Sequence, residues 1–344
     1  MTATGSGVAV IGAGSWGTTL AIQIARGAGA VRLWGRDASL VSTMQATREN
    51  PRYLPGIALS AGVRATTDHA EALRGADLVL VAVPSHFVRA TLGPMVRAVP
   101  PGAAVLSATK GFEPGTALRM SELLAELLPE HPVAALSGPS FAREVAGGKP
   151  AALVVASPDP AVARQLQERL TAPAFRLYTN RDLVGVEIGG ALKNVMAIAT
   201  GLSDGLGLGE NARAALVTRG LAEIGRLALA SGGQAATLAG LAGLGDLVLT
   251  CTGTLSRNRH VGVELARGRP LAEVVAGMKM VAEGVRTTGA ALALGERCGV
   301  ELPITEQMAE VLSGRTDVRT AVGALMVRRQ RAEPEPVGPG GHPK

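Results

Sequence analysis

Three glycines, Gly12, Gly14 and Gly17, stand directly behind the apolar run VAVI in the stretch GAGSWGTTLA. Few patterns constrain a chain more. A buried strand has to end, the backbone has to turn sharply, and a helix has to start within a few residues. Glycine permits the tight turn, close backbone approach to a pyrophosphate, and intimate helix–strand packing. The helix start then offers free N–H groups to phosphate. With 45 glycines in the chain, the spacing alone is weak. Its context is what counts: an apolar run before it, a helical pattern after it, and a second strand-like run, VRLW, beyond. The competing reading is a strand–turn–helix that binds nothing.

Strand-like runs recur through the first half, at residues 8–12, 31–35, 78–83, 104–109, 133–138 and 152–157. Most are continuously apolar, as strands covered on both faces are. Helical patterns lie between them. TTLAIQIARG closes on Gly27, Asp68 precedes Glu71 in a capping-box-like start, and Asp159 with Pro160 opens another helix. This alternation predicts a doubly wound parallel sheet. Beyond about residue 183 the texture turns to long Ala/Leu-rich helical patterns. The expected organisation is a dinucleotide-binding α/β domain over 1–183, an all-helical substrate and catalytic domain over 184–330, and a disordered Pro/Gly-rich tail over 331–344.

Composition narrows the function classes. A chain of 344 residues with 47% hydrophobic and 18% charged residues is globular. The most apolar stretch read from the sequence, LVLVAV at 78–83, is too short to cross a bilayer. The start MTATGSG does not resemble a signal peptide. The net charge of +6 is scattered, apart from Arg328, Arg329 and Arg331, and aromatics make up only 2%. That suits anionic small molecules and not a nucleic-acid groove. Cys251 and Cys298 have no metal spacing and fit free thiols in a reducing cytoplasm. None of the five histidines makes a metal-ligand pair, and no metal site is expected.

Several stretches carry polar residues where chemistry would sit. Lys110 follows a strand in SATKGFE, at the sheet edge where open parallel sheets bind ligands. Gly138, Pro139 and Ser140 end the next strand. Lys193 and Asn194 lie inside a helical pattern, and Asp246, Thr250, Ser256, Arg257 and Asn258 lie in a glycine-broken stretch. Lys193 stands beside an apolar stripe of Ile188, Leu192, Val195, Met196 and Ala199, with small Gly189, Gly190, Ala197 and Thr200 on its own face. On that helix alone, the simple reading is a surface lysine. With Asn194, Asp246 and Arg257 it becomes a site: lysine donates a proton, aspartate orients it, and arginine and asparagine bind an oxyanion. At the end of the second strand, Arg36 suits the NADP 2′-phosphate, while Asp37 keeps NAD possible.

Taken together, GAGSWGTTLA, SATKGFE, SGPSFAREVA, EIGGALKNVMAIATG, GLAGLGDLVLTCTGTLSRNRHVG and VAEGVRTT resemble the bacterial NAD(P)-dependent glycerol-3-phosphate dehydrogenases over residues 7–325. The resemblance implies a cytoplasmic enzyme that reduces dihydroxyacetone phosphate to sn-glycerol 3-phosphate with NADPH or NADH, for phospholipid synthesis. It implies a Rossmann-like domain followed by a helical domain, with the active site between them. A homodimer without membrane insertion is the expected assembly. By the same resemblance Ser15, Trp16, Arg36, Lys110, Ala142, Arg257, Val281 and Glu283 contact the cofactor alongside Gly12, Gly14 and Gly17. Lys110, Gly138 and Ser140 line the substrate pocket, Lys193 is the proton donor and acceptor with Asp246 beside it, and Ser256, Arg257 and Asn258 hold the substrate phosphate. Asn194 and Thr250 complete the set. One alternative is a related two-domain dehydrogenase acting on another 2-keto or 3-hydroxy acid such as ketopantoate, which the phosphate-suited SRNR stretch disfavours. Another is a non-catalytic NAD(P)-binding redox sensor, which would not need Lys193, Asp246 and Arg257.

Overall fold

The computed structural model describes residues 7–278 and 280–327. Ten strands are present: β1 (Gly7–Ile11), β2 (Val31–Trp34), β3 (Glu49–Asn50), β4 (Leu54–Ala58), β5 (Val63–Thr66), β6 (Ala76–Val81), β7 (Ala104–Ser107), β8 (Val133–Ser137), β9 (Ala151–Ala156) and β10 (Phe175–Asn180). Eight form one sheet in the order β10-β9-β8-β7-β6-β1-β2-β5, and β3 pairs with β4 in a separate hairpin. Helices α1 (Ser15–Ala28), α2 (Ala38–Thr47), α3 (His69–Leu73), α4 (Val88–Leu92), α5 (Met120–Leu127), α6 (Ala142–Ala146) and α7 (Pro160–Leu170) belong to this half.

The six expected runs are all strands of the sheet. Their inward residues, Val8, Val10, Leu33, Leu78, Leu80 and Leu106 among them, form one apolar core, and Ile11, Val79, Val81 and Val105 another on the opposite face. Three differences stand out. The sheet is not wholly parallel, because β9 runs antiparallel to β8. α1 runs past Gly27 and is capped by Gly29, whose positive φ supplies the stop. The strands β5 and β10 were not anticipated. They are the two edges of the sheet, and each carries polar residues that hide it from a search for apolar runs.

After β10 the described chain is helical: α8 (Leu183–Gly205), α9 (Gly209–Ala230), α10 (Ala235–Leu238), a π-helical turn at Leu241–Gly245, α11 (Asp246–Thr252), α12 (Arg257–Ala266), α13 (Leu271–Ala276), α14 (Glu283–Cys298), α15 (Pro303–Leu312) and α16 (Val318–Met326). The expected disordered tail and the Arg328, Arg329 and Arg331 cluster lie outside the described residues.

α8 is the axis of this half. Asp182 caps it by accepting from the Gly185 N–H at 2.8 Å, and α9, α11, α12 and α14 pack around it. A helix apolar all round is a buried helix. The stretches Leu183–Gly205 and Ala235–Thr252 are each long and apolar enough, by length and composition, to span a bilayer. For α8, 89% of that window is buried inside the protein. Close approach of α12 needs two bare backbones. A Cβ on Gly201 would lie 2.1 Å from the Arg259 carbonyl oxygen, and one on Gly262 would lie 2.1 Å from that of Ile198.

Gly201→Ala should therefore cost about 1–3 kcal/mol by overpacking and lower the melting temperature by several degrees. Gly225→Ala, mid-helix in α9 where a Cβ meets nothing within 4 Å, should instead stabilise by about 0.5–1 kcal/mol. Calorimetry on the two variants checks both signs.

Candidate active site

The site is built where the carboxyl ends of the strands face α8 and α11. Thr109 donates to the Val83 carbonyl at 2.8 Å and pins the segment after β7, so that Lys110 reaches across to the helical half. There Lys110 Nζ lies 2.5 Å from Asp246 Oδ2 and donates to the Gly138 carbonyl at 3.0 Å. From the opposite side Lys193 Nζ lies 2.6 Å from Asp246 Oδ1 and donates to Thr250 Oγ1 at 2.8 Å. Thr250, one turn beyond Asp246, donates to the Asp246 carbonyl at 2.6 Å. One carboxylate thus serves two ammonium groups, one on each oxygen.

The surface reading of Lys193 is corrected. Lys193 is 7% exposed and Asp246 is 1% exposed. The small residues on its face admit protein: a Cβ on Gly189 would meet the Ala242 carbonyl oxygen at 2.8 Å, and one on Gly190 would meet Ser137 Oγ at 2.6 Å. Burial pushes the Lys193 ammonium down to about 8, with Asp246 pulling it up and Lys110 adding to the depression. Burial opposes charge on Asp246, yet Lys110 and Lys193 together hold its carboxyl below the usual range.

Asn194 is also buried, and its Oδ1 accepts from Asn258 Nδ2 at 2.9 Å. Asn258 Oδ1 accepts from the Gly284 N–H at 2.9 Å. Asn258 therefore ties α8, α12 and α14 together and retains one amide hydrogen for a ligand. Ser256 caps α12, accepting from the Arg259 N–H at 3.3 Å. Arg257 donates one N–H to the Val281 carbonyl at 2.7 Å, leaving most of its fork unspent among the described residues. Ser140 Oγ donates to the Gly138 carbonyl at 2.9 Å.

The glycine turn fits a dinucleotide. Gly12 has φ +116, and a Cβ there would lie 2.6 Å from the Ala82 carbonyl oxygen; at Gly17 it would lie 1.9 Å from that of Gly12. At Gly14 it would meet nothing within 4 Å, so this face is open. α1 begins at Ser15 with no side-chain cap and no acidic residue in its first turn, which leaves its first N–H groups for an anion. The indole N–H of Trp16 is buried without a partner among the described residues. Ala142 lies beside this helix, its carbonyl accepting from Thr19 Oγ1 at 3.0 Å.

Asp37 is already committed. It caps α2 at the Leu40 N–H and pairs with Arg52. Arg36 is exposed, its guanidinium 5.1 Å from the Phe87 ring centroid. Glu283 crosses the seam between the halves, accepting from Ser85 N–H at 3.3 Å and Ser85 Oγ at 3.0 Å. Ser85 and Phe87 were not singled out in the sequence. Their signal was positional, since PSHF follows a central strand at the same sheet edge as Gly12 and Lys110.

A glycine-turn sheet, an open helix N-terminus and a buried lysine–aspartate pair define a two-domain dinucleotide-dependent dehydrogenase. Comparison with known proteins narrows this. The sequence models for the NAD-dependent glycerol-3-phosphate dehydrogenase N-terminus and C-terminus match residues 7–163 and 182–323. The glycerol-3-phosphate dehydrogenase [NAD(P)+] of Geobacter sp. (strain M21) is 54% identical over 274 residues, 79% of this chain and 82% of that one. Its counterpart 2 from Sphingopyxis alaskensis is 51% identical over 79% of this chain and 81% of its own. The crystal structure of glycerol-3-phosphate dehydrogenase from Coxiella burnetii has TM-score 0.91 and 42% identity, covering 94% of this chain and 99% of that one. The chain belongs to the NAD-dependent glycerol-3-phosphate dehydrogenase family. It is an NAD(P)-dependent oxidoreductase that interconverts dihydroxyacetone phosphate and sn-glycerol 3-phosphate. A ketopantoate reductase from Ralstonia eutropha, at 22% identity and TM-score 0.61, shares the fold.

A lysine that loses its proton near pH 8 serves as an acid below that value and as a base above it. For carbonyl reduction kcat/KM should fall as pH rises through about 8. For alcohol oxidation it should rise over the same interval. Flat profiles from pH 7 to about 10 would remove Lys193 from proton transfer.

Proposed function

We propose that Lys193 is the proton donor and acceptor of this reaction, with Asp246 and Thr250 orienting it and Arg257, Ser256 and Asn258 holding the substrate phosphate. The observation that carries the reading is the buried pair of ammonium groups sharing Asp246. Two lysines against one carboxylate leave a surplus positive charge beneath the pocket, suited to an anionic substrate and to a carbonyl oxygen gathering charge. Bound NAD(P)H supplies a hydride to the C2 carbonyl carbon. As negative charge grows on the carbonyl oxygen, the Lys193 ammonium stabilises it and gives up a proton, becoming a neutral amine. Lys110 keeps Asp246 ionised and borders the same space, while Asn194 retains its amide N–H groups for the substrate. Gly138 and Ser140 line the wall beside Lys110. Phosphate held at the start of α12, remote from C2, fixes orientation.

The cofactor reading is that Gly12, Gly14, Gly17, Ser15, Trp16 and Ala142 border the pyrophosphate, with Arg257, Val281 and Glu283 closing over it from the helical half. NADPH is preferred in this reading, because Asp37 is spent on Arg52 and the α2 cap while Arg36 has no carboxylate partner among the described residues. We place the domain boundary at 183/184, between β10 and the body of α8. Free Cys251 and Cys298 support a cytoplasmic location. The exposed Val248 and Leu255 on the helical half support a homodimer, and the burial of α8 supports a protein outside the membrane.

Lys193→Ala should cut turnover by about 10²–10⁴-fold while leaving the dissociation constant for NADPH nearly unchanged. Retained turnover would sink the assignment. Arg257→Ala should chiefly raise KM for dihydroxyacetone phosphate, by about 10-fold or more for a lost charge-assisted contact. An unchanged KM would move the phosphate site elsewhere.

A further inference from the structure

Three cationic or ionisable groups converge on the turn after β6. The Ser85–Glu283 bonds dock the first turn of α14 onto residues 85–87. Arg286 stands one turn along from Glu283 on that helix, exposed to solvent. From the other side Arg36, just beyond β2, lies over the Phe87 ring. His86 lies on this turn, between Ser85 and Phe87 in the chain. Burial, then Arg286, then Arg36 all disfavour its charged form, and its Nδ1 is buried without a partner. Neither arginine makes an ion pair or hydrogen bond among the described residues. Of the nearby carboxylates, Asp37 is paired with Arg52, and Glu283 accepts from Ser85 while also attracting Arg286 through space.

Two unpaired guanidinium groups and an unsatisfied imidazole around one turn suit a multiply charged, many-acceptor ligand, which is the chemistry of a phosphate monoester. We infer that Arg286, from the helical half, reads the adenosine 2′-phosphate of NADP(H) together with Arg36 and His86, so that cofactor choice is made across the seam between the two halves. The inference rests on the reading of Arg36 given above and extends it to a residue on another domain. A 2′-phosphate brings about −1.5 to −2 charges to this cluster. The 2′-hydroxyl of NAD(H) brings none and leaves the guanidinium groups mutually repelling.

Calorimetric titration with adenosine 2′,5′-bisphosphate and with 5′-AMP tests this without turnover. In Arg286→Ala the ratio of the two dissociation constants should shift against the bisphosphate by about fivefold, the loss of one solvent-exposed charge pair. Arg97→Ala, an exposed arginine outside the cluster, should leave the ratio where it was. The NADPH to NADH ratio should move in parallel. An unchanged ratio in Arg286→Ala, or the same shift in Arg97→Ala, overturns the role of Arg286. A wild-type protein that binds both nucleotides equally would instead overturn the reading of Arg36.

Discussion

The structure turns on one buried carboxylate. Asp246 begins α11 directly after a π-helical turn, and its two oxygens are claimed by lysines from different halves of the molecule. Lys110 comes from the sheet, Lys193 from α8. An isolated ion at this depth would be prohibitively expensive, and a single pair would still cost several kcal/mol in desolvation. Two ammonium groups compensate the carboxylate more than fully and leave the surplus charge on the lysines. Burial brings Lys193 down to about 8. In the reading proposed above, this is the group that moves the proton.

That arrangement demands a rigid support. Lys193 lies on a helix surrounded by others, and its neighbours set its position through backbone contacts that only glycine allows. Gly189 lies against the turn that aims Asp246, Gly190 against the end of β8, and Gly201 against α12, which carries Ser256, Arg257 and Asn258. Asn258 then bonds to Asn194, the residue after Lys193. The same close crossings that pack the helical half also hold the ends of the site in register. A displacement of α12 against α8 would move Ser256, Arg257 and Asn258 relative to Lys193.

Much of this was legible in the sequence, and the failures have causes. Buried central strands announce themselves as continuous apolar runs, so β1, β2, β6, β7, β8 and β9 were found. Edge strands such as β5, reading VRAT with Arg64 exposed, and β10, reading FRLYTN, are interrupted by polar residues and lack that signal. The glycine turn was legible because strand, turn and helix are local. The burial of Lys193 was not, because its partners Asp246 and Thr250 lie more than fifty residues away in sequence. A stripe analysis assumed one wet face, whereas α8 has none to spare. Ser85 and Glu187 escaped for the same reason, since each acquires its meaning from the other half of the chain.

Those residues show how the two halves are joined. Three carboxylates from the helical half meet donors from the sheet half: Asp246 meets Lys110, Glu283 meets Ser85, and Glu187 meets Arg119 and the Ser121 N–H at the start of α5. They are not equivalent. Burial raises Glu187 and Glu283 above the usual carboxyl range, against the hydrogen bonds and arginines that lower them. Asp246 alone of the three is held below it. A raised folded-state value means that folding favours the protonated form, so the charged forms of Glu187 and Glu283 oppose folding at neutral pH, and this cost shrinks as pH falls. For Asp246 the sign reverses: its contribution is present above the unfolded value and is lost as pH falls through the lowered one. The seam thus combines two contacts that tolerate protonation with one that requires charge, and the one that requires charge is the carboxylate shared by Lys110 and Lys193.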